Sequence, residues 1–192
     1  MSSTDSLFTI ALTRIVDTWP WYIVRGAGFV AVFLIILLML SGIGLVTGHT
    51  FRWFEPTKAW AIHRAMGIAL CVSMAVHILF LLIDHSLSFN FAQLFIPFIS
   101  SYQTLWVGLG VLAMYCVVIV VASSLGWIDS KRGLWKKLHF VSYASMLLVF
   151  FHALNSGSDL KYGAFRSLWI LLGGILLLAV VVRVFRSGTL KK

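Results

Sequence analysis

The sequence predicts an all-α fold, a polytopic membrane helix bundle with five transmembrane helices, and three observations carry that expectation. Apolar residues make up 60% of the 192-residue chain and charged residues only 11%, against roughly 25% charged in a soluble domain. Mean hydropathy is +0.98. Five separate runs reach the roughly 20 apolar residues that a helix needs to cross a bilayer. A water-soluble body of this size cannot hide so many apolar side chains, which argues against a soluble enzyme, a secreted module or a disordered tail.

The elements follow in chain order. Residues 1–25 are too mixed to span, and the cluster Trp19, Trp21 and Tyr22 suits a membrane–water boundary, so an N-terminal interfacial helix is expected there. The first apolar run, about 26–47, exceeds a signal-peptide core and lacks a small-residue cleavage site, so it reads as retained. The others fall at about 60–83, 104–125, 135–155 and 167–186. Each is expected to be helical because lipid offers no partner to an open backbone group. Residues 85–103 carry no Lys or Arg, but Pro97 and several polar groups favour an interfacial or re-entrant stretch over a sixth span. Residues 187–192 form a short tail. Cys71 and Cys116 lie inside apolar runs and read as small buried hydrophobes.

The net charge of +9 is distributed as a topology signal. Five helices put Arg14, Arg25, Lys161 and Arg166 on the N-terminal side. Arg52, Lys58, Arg64, Lys131, Arg132, Lys136, Lys137, Arg183, Arg186, Lys191 and Lys192 fall on the other. A split of 4 against 11 predicts a cytoplasmic C-terminus and an external N-terminus in a plasma (bacterial inner) membrane. No basic stretch with interleaved aromatics points to nucleic acid.

Ionisable groups inside a membrane are costly and mark function. Four of the six histidines fall within predicted helices: His63 and His77, fourteen residues apart, and His139 and His152, thirteen apart. At ~1.5 Å per residue these intervals are ~21 and ~20 Å. The second and fourth predicted helices run in the same direction, so His63 and His139 share one depth and His77 and His152 another. Two imidazoles at one depth can clamp a flat metal-centred ring, and two such layers would hold two haems stacked across the bilayer. Without a CxxCH motif the haems would be b-type. Hydrogen-bonded structural histidines, or protonatable groups on a transport path, are the competing reading.

The intervals differ in one respect. Fourteen residues return within ~40° of the start, so His63 and His77 share a helix face. Thirteen leave His152 about 140° from His139 on a straight helix, and a 3₁₀ stretch or a bend would be needed to aim both alike.

The segments HRAMGIALCVSMAVH (63–77), PFISSYQTLWVGLGVLAMY (97–115) and LWKKLHFVSYASMLLVFFHALNSGSD (134–159) resemble the bacterial ferric reductase-like transmembrane domain. That is the haem-bearing membrane part shared with NADPH oxidases and ferric reductases, and the chain is also similar to the membrane subunit of the methionine sulfoxide reductase system. The resemblance covers most of residues 26–186. It implies two non-covalent haem b groups with iron ligand pairs His63/His139 and His77/His152, and a thirteen-residue interval on the second ligand helix is usual in the family. The chain departs from the oxidases and reductases in lacking their flavin- and nicotinamide-binding region, and it has one helix fewer than six-helix members. The implied function is electron transfer from a cytoplasmic flavoprotein reductase or quinol to an extracytoplasmic acceptor. A non-catalytic anchor subunit of a redox complex and a His-dependent proton or metal transporter are the alternatives.

Secondary expectations attach to single residues. Arg64, Lys136 and Lys137 are candidates to neutralise haem propionates, or else anchor the cytoplasmic edge. Gly67, Gly108, Gly110, Gly173 and Gly174 make room for a haem or for close helix packing. Trp106, Trp135 and Phe151 line the haems or face lipid. His49 and His85 read as loop histidines, with His85 beside Asp84 near the outer centre.

Overall fold

Helices that are apolar on every side satisfy their backbone internally and leave side chains to meet lipid or one another. The computed structural model describes the backbone of residues 3–84 and 86–189 and the side chains of 18–84 and 86–183, and every regular element among them is helical. The chain runs α1 (Ser3–Thr47), a 3₁₀ turn (His49–Arg52), α2 (Pro56–Ile83), α3 (Phe91–Phe95), α4 (Thr104–Gly126), α5 (Arg132–His139), α6 (Val141–Ser156), a second 3₁₀ turn (Ser158–Leu160) and α7 (Ala164–Thr189). Five stretches are long and apolar enough to cross a membrane: Thr18–Thr47, Pro56–Ile83, Thr104–Gly126, Arg132–Ser156 and Ala164–Arg183.

Three boundaries take a particular form. From Ser3 on, the N-terminal stretch is continuous with the first span, because α1 is one helix of 45 residues that runs through Pro20. A proline removes one ladder bond, and here the helix tolerates it. The C-terminal boundary at 186 is likewise no break, since α7 runs on to Thr189. The fourth span is interrupted at Phe140, between α5 and α6.

Turn chemistry sets the other ends. Gly48 adopts a left-handed conformation (φ 78°) after α1, which a glycine does without steric penalty. Pro56 opens α2 at a position where its missing N–H is no loss. Asn90 caps α3 reciprocally with Gln93. Residues 84–103 form no further span. They fold over the ends of α2 and α4 around buried Phe89, Leu94 and Val107, and the Tyr115 hydroxyl donates to the Phe95 carbonyl at 2.6 Å.

Two antiparallel hairpins make the bundle: α1 packs along α2, and α4 along α6. Contact between the hairpins is sparse, and α2 and α6 make almost no direct backbone contact. The common core is a waist to which every span contributes: Ile35 and Met39 from α1, Leu70 from α2, Val117 from α4, Met146 from α6 and Leu176 from α7. At one end Arg25 of α1 makes a two-point ion pair with Asp159, its Nε donating to Oδ2 at 2.8 Å, which ties α1 to the α6–α7 connection.

Candidate functional site: two levels of paired histidines

Four histidines occupy two levels, on either side of the waist. His63 and His139 lie with ring centroids 6.3 Å apart and planes inclined by 51°. At the other level, beside Val24 of α1 and Trp106 of α4, His77 and His152 lie within electrostatic range of each other. The helices that bear them are held apart at the backbone, so the rings reach into the gap between hairpins.

Each ring is backed by a small residue of the neighbouring helix. A Cβ at Gly28 would lie 3.3 Å from His77 Nδ1, one at Gly42 3.5 Å from His63 Cε1, and one at Gly110 only 2.6 Å from His152 Nδ1. His139 is backed by Ser124, whose hydroxyl lies 3.3 Å from its Nδ1. The register repeats: Gly28, Ile35 and Gly42 on α1 face His77, Leu70 and His63 on α2, and Gly110, Val117 and Ser124 on α4 face His152, Met146 and His139.

The hydrogen bonds fix one tautomer in three of the four rings. His77 Nδ1 lies 2.9 Å from the Val24 carbonyl and His152 Nδ1 2.9 Å from the Trp106 carbonyl. A carbonyl only accepts, so both Nδ1 atoms carry the proton. His63 Nδ1 lies 2.8 Å from Ser41 Oγ, a hydroxyl that can accept from the imidazole or donate to it, with the Leu38 carbonyl at 3.1 Å as its other acceptor. Ser124 Oγ donates to the Val120 carbonyl at 2.7 Å and accepts from Trp135 Nε1 at 3.0 Å, so it accepts from His139 too. With Nδ1 protonated and anchored in His77, His139 and His152, the Nε2 of each keeps a lone pair. That is how a protein orients imidazoles for a metal: the far nitrogen donates to a fixed acceptor and the near one coordinates.

The spacing of the first pair fits two imidazoles on opposite sides of one ion. With a metal–nitrogen bond of about 2 Å and about 1.2 Å from nitrogen to ring centre, the centroids would lie roughly 6.4 Å apart. Among the described residues no group of three or more His, Cys, Asp or Glu comes together. The four imidazoles thus come together two by two, one pair at each level.

Beside His63 and His139 lies a cavity of ≈ 130 Å³ walled by residues of α1, α2, α4, α6 and α7, including Gly42, Arg64, Gly67, Ser124, Tyr143 and Arg183. It is smaller than a porphyrin, so seating one would require the hairpins to part where they touch least. Arg64 and Gly67 both line this cavity. Lys136 and Lys137 are exposed at the end of α5 and do not line it. Arg183, read from sequence only as a topology charge, does line it, with its guanidinium 5.6 Å from the Tyr143 ring.

The remaining candidates separate cleanly. Trp135 packs against His139 at 5.2 Å and Trp60 edge-on against His63 at 6.5 Å. Trp106 contributes its carbonyl, and Phe151 is exposed. Gly110 receives His152, Gly108 receives Phe98, and Gly173 receives Phe150, while Gly174 faces open space. His49 bonds the Thr47 hydroxyl at 3.1 Å on the surface. His85 and Lys191 and Lys192 lie outside the described residues, as do the side chains of Arg14 and Arg186.

Ser41, Ser124, Gly28 and Gly42 were not singled out from sequence. The signal was available: 28 to 42 and 110 to 124 repeat the fourteen-residue interval of His63 and His77. No family model matches this chain, and no curated protein or solved structure matches it.

Proposed function

We propose that this chain is a di-haem b-type membrane cytochrome that passes electrons between the two faces of a plasma membrane. The observation that carries the reading is the common state of the four histidines: paired by level, backed by Gly or Ser, and each anchored through Nδ1, with Nε2 left to coordinate in His77, His139 and His152. His63 and His139 would hold one haem and His77 and His152 the other. Bound there, each haem would supply a one-electron ferric/ferrous couple, the chemistry that electron transfer needs.

The protein's own part is to fix and tune. The Val24 and Trp106 carbonyls and the Ser41 and Ser124 hydroxyls hold the imidazoles in orientation and raise their basicity. Arg64 lines the cavity where it would meet an acidic substituent of the inner group, and Lys137 stands at the adjacent edge. The waist of Ile35, Leu70, Val117 and Met146 keeps water from the path between levels.

The charge bias supports a cytoplasmic C-terminus, with His63 and His139 at the inner face. Electrons would enter from a flavoprotein reductase or quinol and leave to an extracytoplasmic acceptor. Outward movement of one electron across ~100 mV, inside negative, is favoured by ~2.3 kcal/mol. The partners are thus the lipid bilayer and redox proteins or quinones, not nucleic acid. The likeness of the three segments 63–77, 97–115 and 134–159, two of which bear the histidines, to the ferric reductase-like family supports the same reading.

The test is a pyridine haemochrome assay with a reduced-minus-oxidised spectrum on purified protein expressed with ample haem. Two b haems per chain are expected. His63→Ala or His139→Ala should remove one, and His77→Ala or His152→Ala the other. Absence of haem, or retention of two in any of these variants, refutes the assignment.

A further inference from the structure

The connection between the fourth and fifth spans carries a second, more open pocket. This cavity of ≈ 680 Å³ is lined by Leu154 and Asn155 of α6, Lys161 and Tyr162 of the connection, and Arg166 and Ser167 of α7, among others. Its size is that of a small-molecule site. Its depth is set by the spans it joins, one of which ends at Ser156 while the next begins at Ala164. The pocket therefore stands where apolar helix gives way to loop, at the level of lipid headgroups. The exposed Tyr162 suits the same level.

The pocket wall holds two cations and no acid. Asp159, the carboxylate of this connection, is taken by Arg25, and among the described residues neither Lys161 nor Arg166 has an acidic partner. Arg166 donates from Nη1 to the Leu154 and Leu160 carbonyls at 3.3 and 3.0 Å. Neutral acceptors fix its position without cancelling its charge, and its Nε and Nη2 hydrogens remain for an oxyanion. Away from the pocket the surface is apolar along two stripes at helical spacing. One runs from Leu154 to the exposed Phe151 and Leu147 on α6, the other from Ser167 to the exposed Leu171 and Leu178 on α7. Gly174 lies between the last two, where a Cβ would meet nothing within 4 Å, and so leaves a notch in the second stripe.

A cationic pocket at the membrane boundary, with two apolar tracks leading from it, is complementary to one class of ligand. We propose that it binds a single anionic phospholipid, the phosphate between Lys161 and Arg166 and the two acyl chains along the stripes of α6 and α7. A zwitterionic headgroup fits less well, because its ammonium finds no carboxylate on this wall. The inference does not rest on what the histidines hold.

The experiment counts lipid on the purified full-length protein. After delipidation in a nonionic detergent, the protein is titrated with dioleoyl phosphatidylglycerol or with dioleoyl phosphatidylcholine, and bound lipid is read by native mass spectrometry. One phosphatidylglycerol should stay bound at concentrations where phosphatidylcholine does not, and inorganic phosphate in large excess should not displace it. Lys161→Gln, at an exposed side chain, should weaken binding about fivefold, and Arg166→Gln at least as much. Arg166→Gln also gives up two bonds to carbonyls, so if it fails to accumulate Lys161→Gln decides. Gly174→Phe fills the notch without touching either cation and should weaken the lipid as well. Equal retention of the two lipids would mean a general lipid belt, and displacement by inorganic phosphate a site for a small anion. Unchanged affinity in Lys161→Gln would put the phosphate elsewhere, and unchanged affinity in Gly174→Phe would put the acyl chains elsewhere. Each of these results overturns the inference.

Discussion

Gly110 is the position where the least chemical change should do the most to a histidine. A Cβ placed there lies 2.6 Å from His152 Nδ1, 2.7 Å from Cε1 and 3.1 Å from Cγ. Non-bonded heavy atoms settle no closer than about 3.5 Å, so the ring must retreat from α4 by roughly 0.9 Å. Its bond to the Trp106 carbonyl, 2.9 Å long, would open to about 3.8 Å, beyond the range of a hydrogen bond. A buried N–H left without its acceptor costs about 1–3 kcal/mol, a five- to 150-fold loss of affinity for whatever His152 holds. The helical preference for Ala over Gly, about 1 kcal/mol, acts in the opposite direction. Gly110→Ala should therefore leave the helix content unchanged or higher while haem stoichiometry falls from two towards one. Gly42→Ala, whose Cβ would sit at an ordinary 3.5 Å from His63, should keep both. The assay is haem titration of the apoprotein with the loss assigned by spectrum. Two haems bound at wild-type affinity by Gly110→Ala, or equal losses in Gly42→Ala, would refute the close-packing account of these glycines.

Further outcomes follow from other contacts. Gly173→Ala should destabilise the bundle, because its Cβ would lie 2.2 Å from the Phe150 ring that stacks on Trp169, whereas Gly174→Ala meets nothing within 4 Å and should be neutral; thermal unfolding in detergent compares the two. Asp159→Asn should lower stability by about 1 kcal/mol by weakening the tie to Arg25, and a Arg25→Asp, Asp159→Arg double variant should recover part of it in the same measurement. For sidedness, cysteines introduced by Tyr162→Cys and Ser130→Cys should react oppositely with a membrane-impermeant maleimide in intact cells, Tyr162→Cys labelling and Ser130→Cys not. The reverse pattern would invert the topology.

What the sequence made legible was whatever depends on composition and interval. Five apolar runs gave five spanning helices because length and hydropathy decide that without reference to packing. The pairing of His63 with His139 followed from equal depth on parallel helices, and their rings do meet. Less visible was anything that depends on which face a neighbour presents. Ser41 and Ser124 look like ordinary small residues in apolar runs until the antiparallel register sets their hydroxyls against an imidazole. Arg183 reads as one more cation at the end of a helix, and only the lean of α7 brings it to the cavity wall. Lys137 is exposed and does not line the cavity for the converse reason, since nearness in sequence to His139 says nothing about the side of α5 on which it lies. The mixed composition of residues 1–25 gave an interfacial helix, and it did not show that this stretch and the first span would be one continuous helix, as α1 is from Ser3.

The thirteen-residue interval between His139 and His152 finds its account in the interruption at Phe140. Three members of the double register share one interval: fourteen residues separate His63 from His77, Gly28 from Gly42, and Gly110 from Ser124, each with a waist residue midway. On a straight helix fourteen residues rise ~21 Å. The fourth member must match that rise with thirteen. Just after His139 the backbone tightens, with the Tyr143 N–H donating to the Phe140 carbonyl at 3.2 Å in an i to i+3 bond. Three residues at the ~2.0 Å rise of a 3₁₀ turn and ten at ~1.5 Å give the same ~21 Å. The tighter turn also adds ~20° per residue, recovering ~60° of the ~140° by which thirteen helical residues fall short of a common face, with the change of axis from α5 to α6 left to supply the rest. Both rings in fact back onto one face of α4, at Ser124 and Gly110. The interruption is thus what lets an odd interval keep level with three even ones, and a straight α-helix through residues 132–156 would leave one of the two histidines off its level.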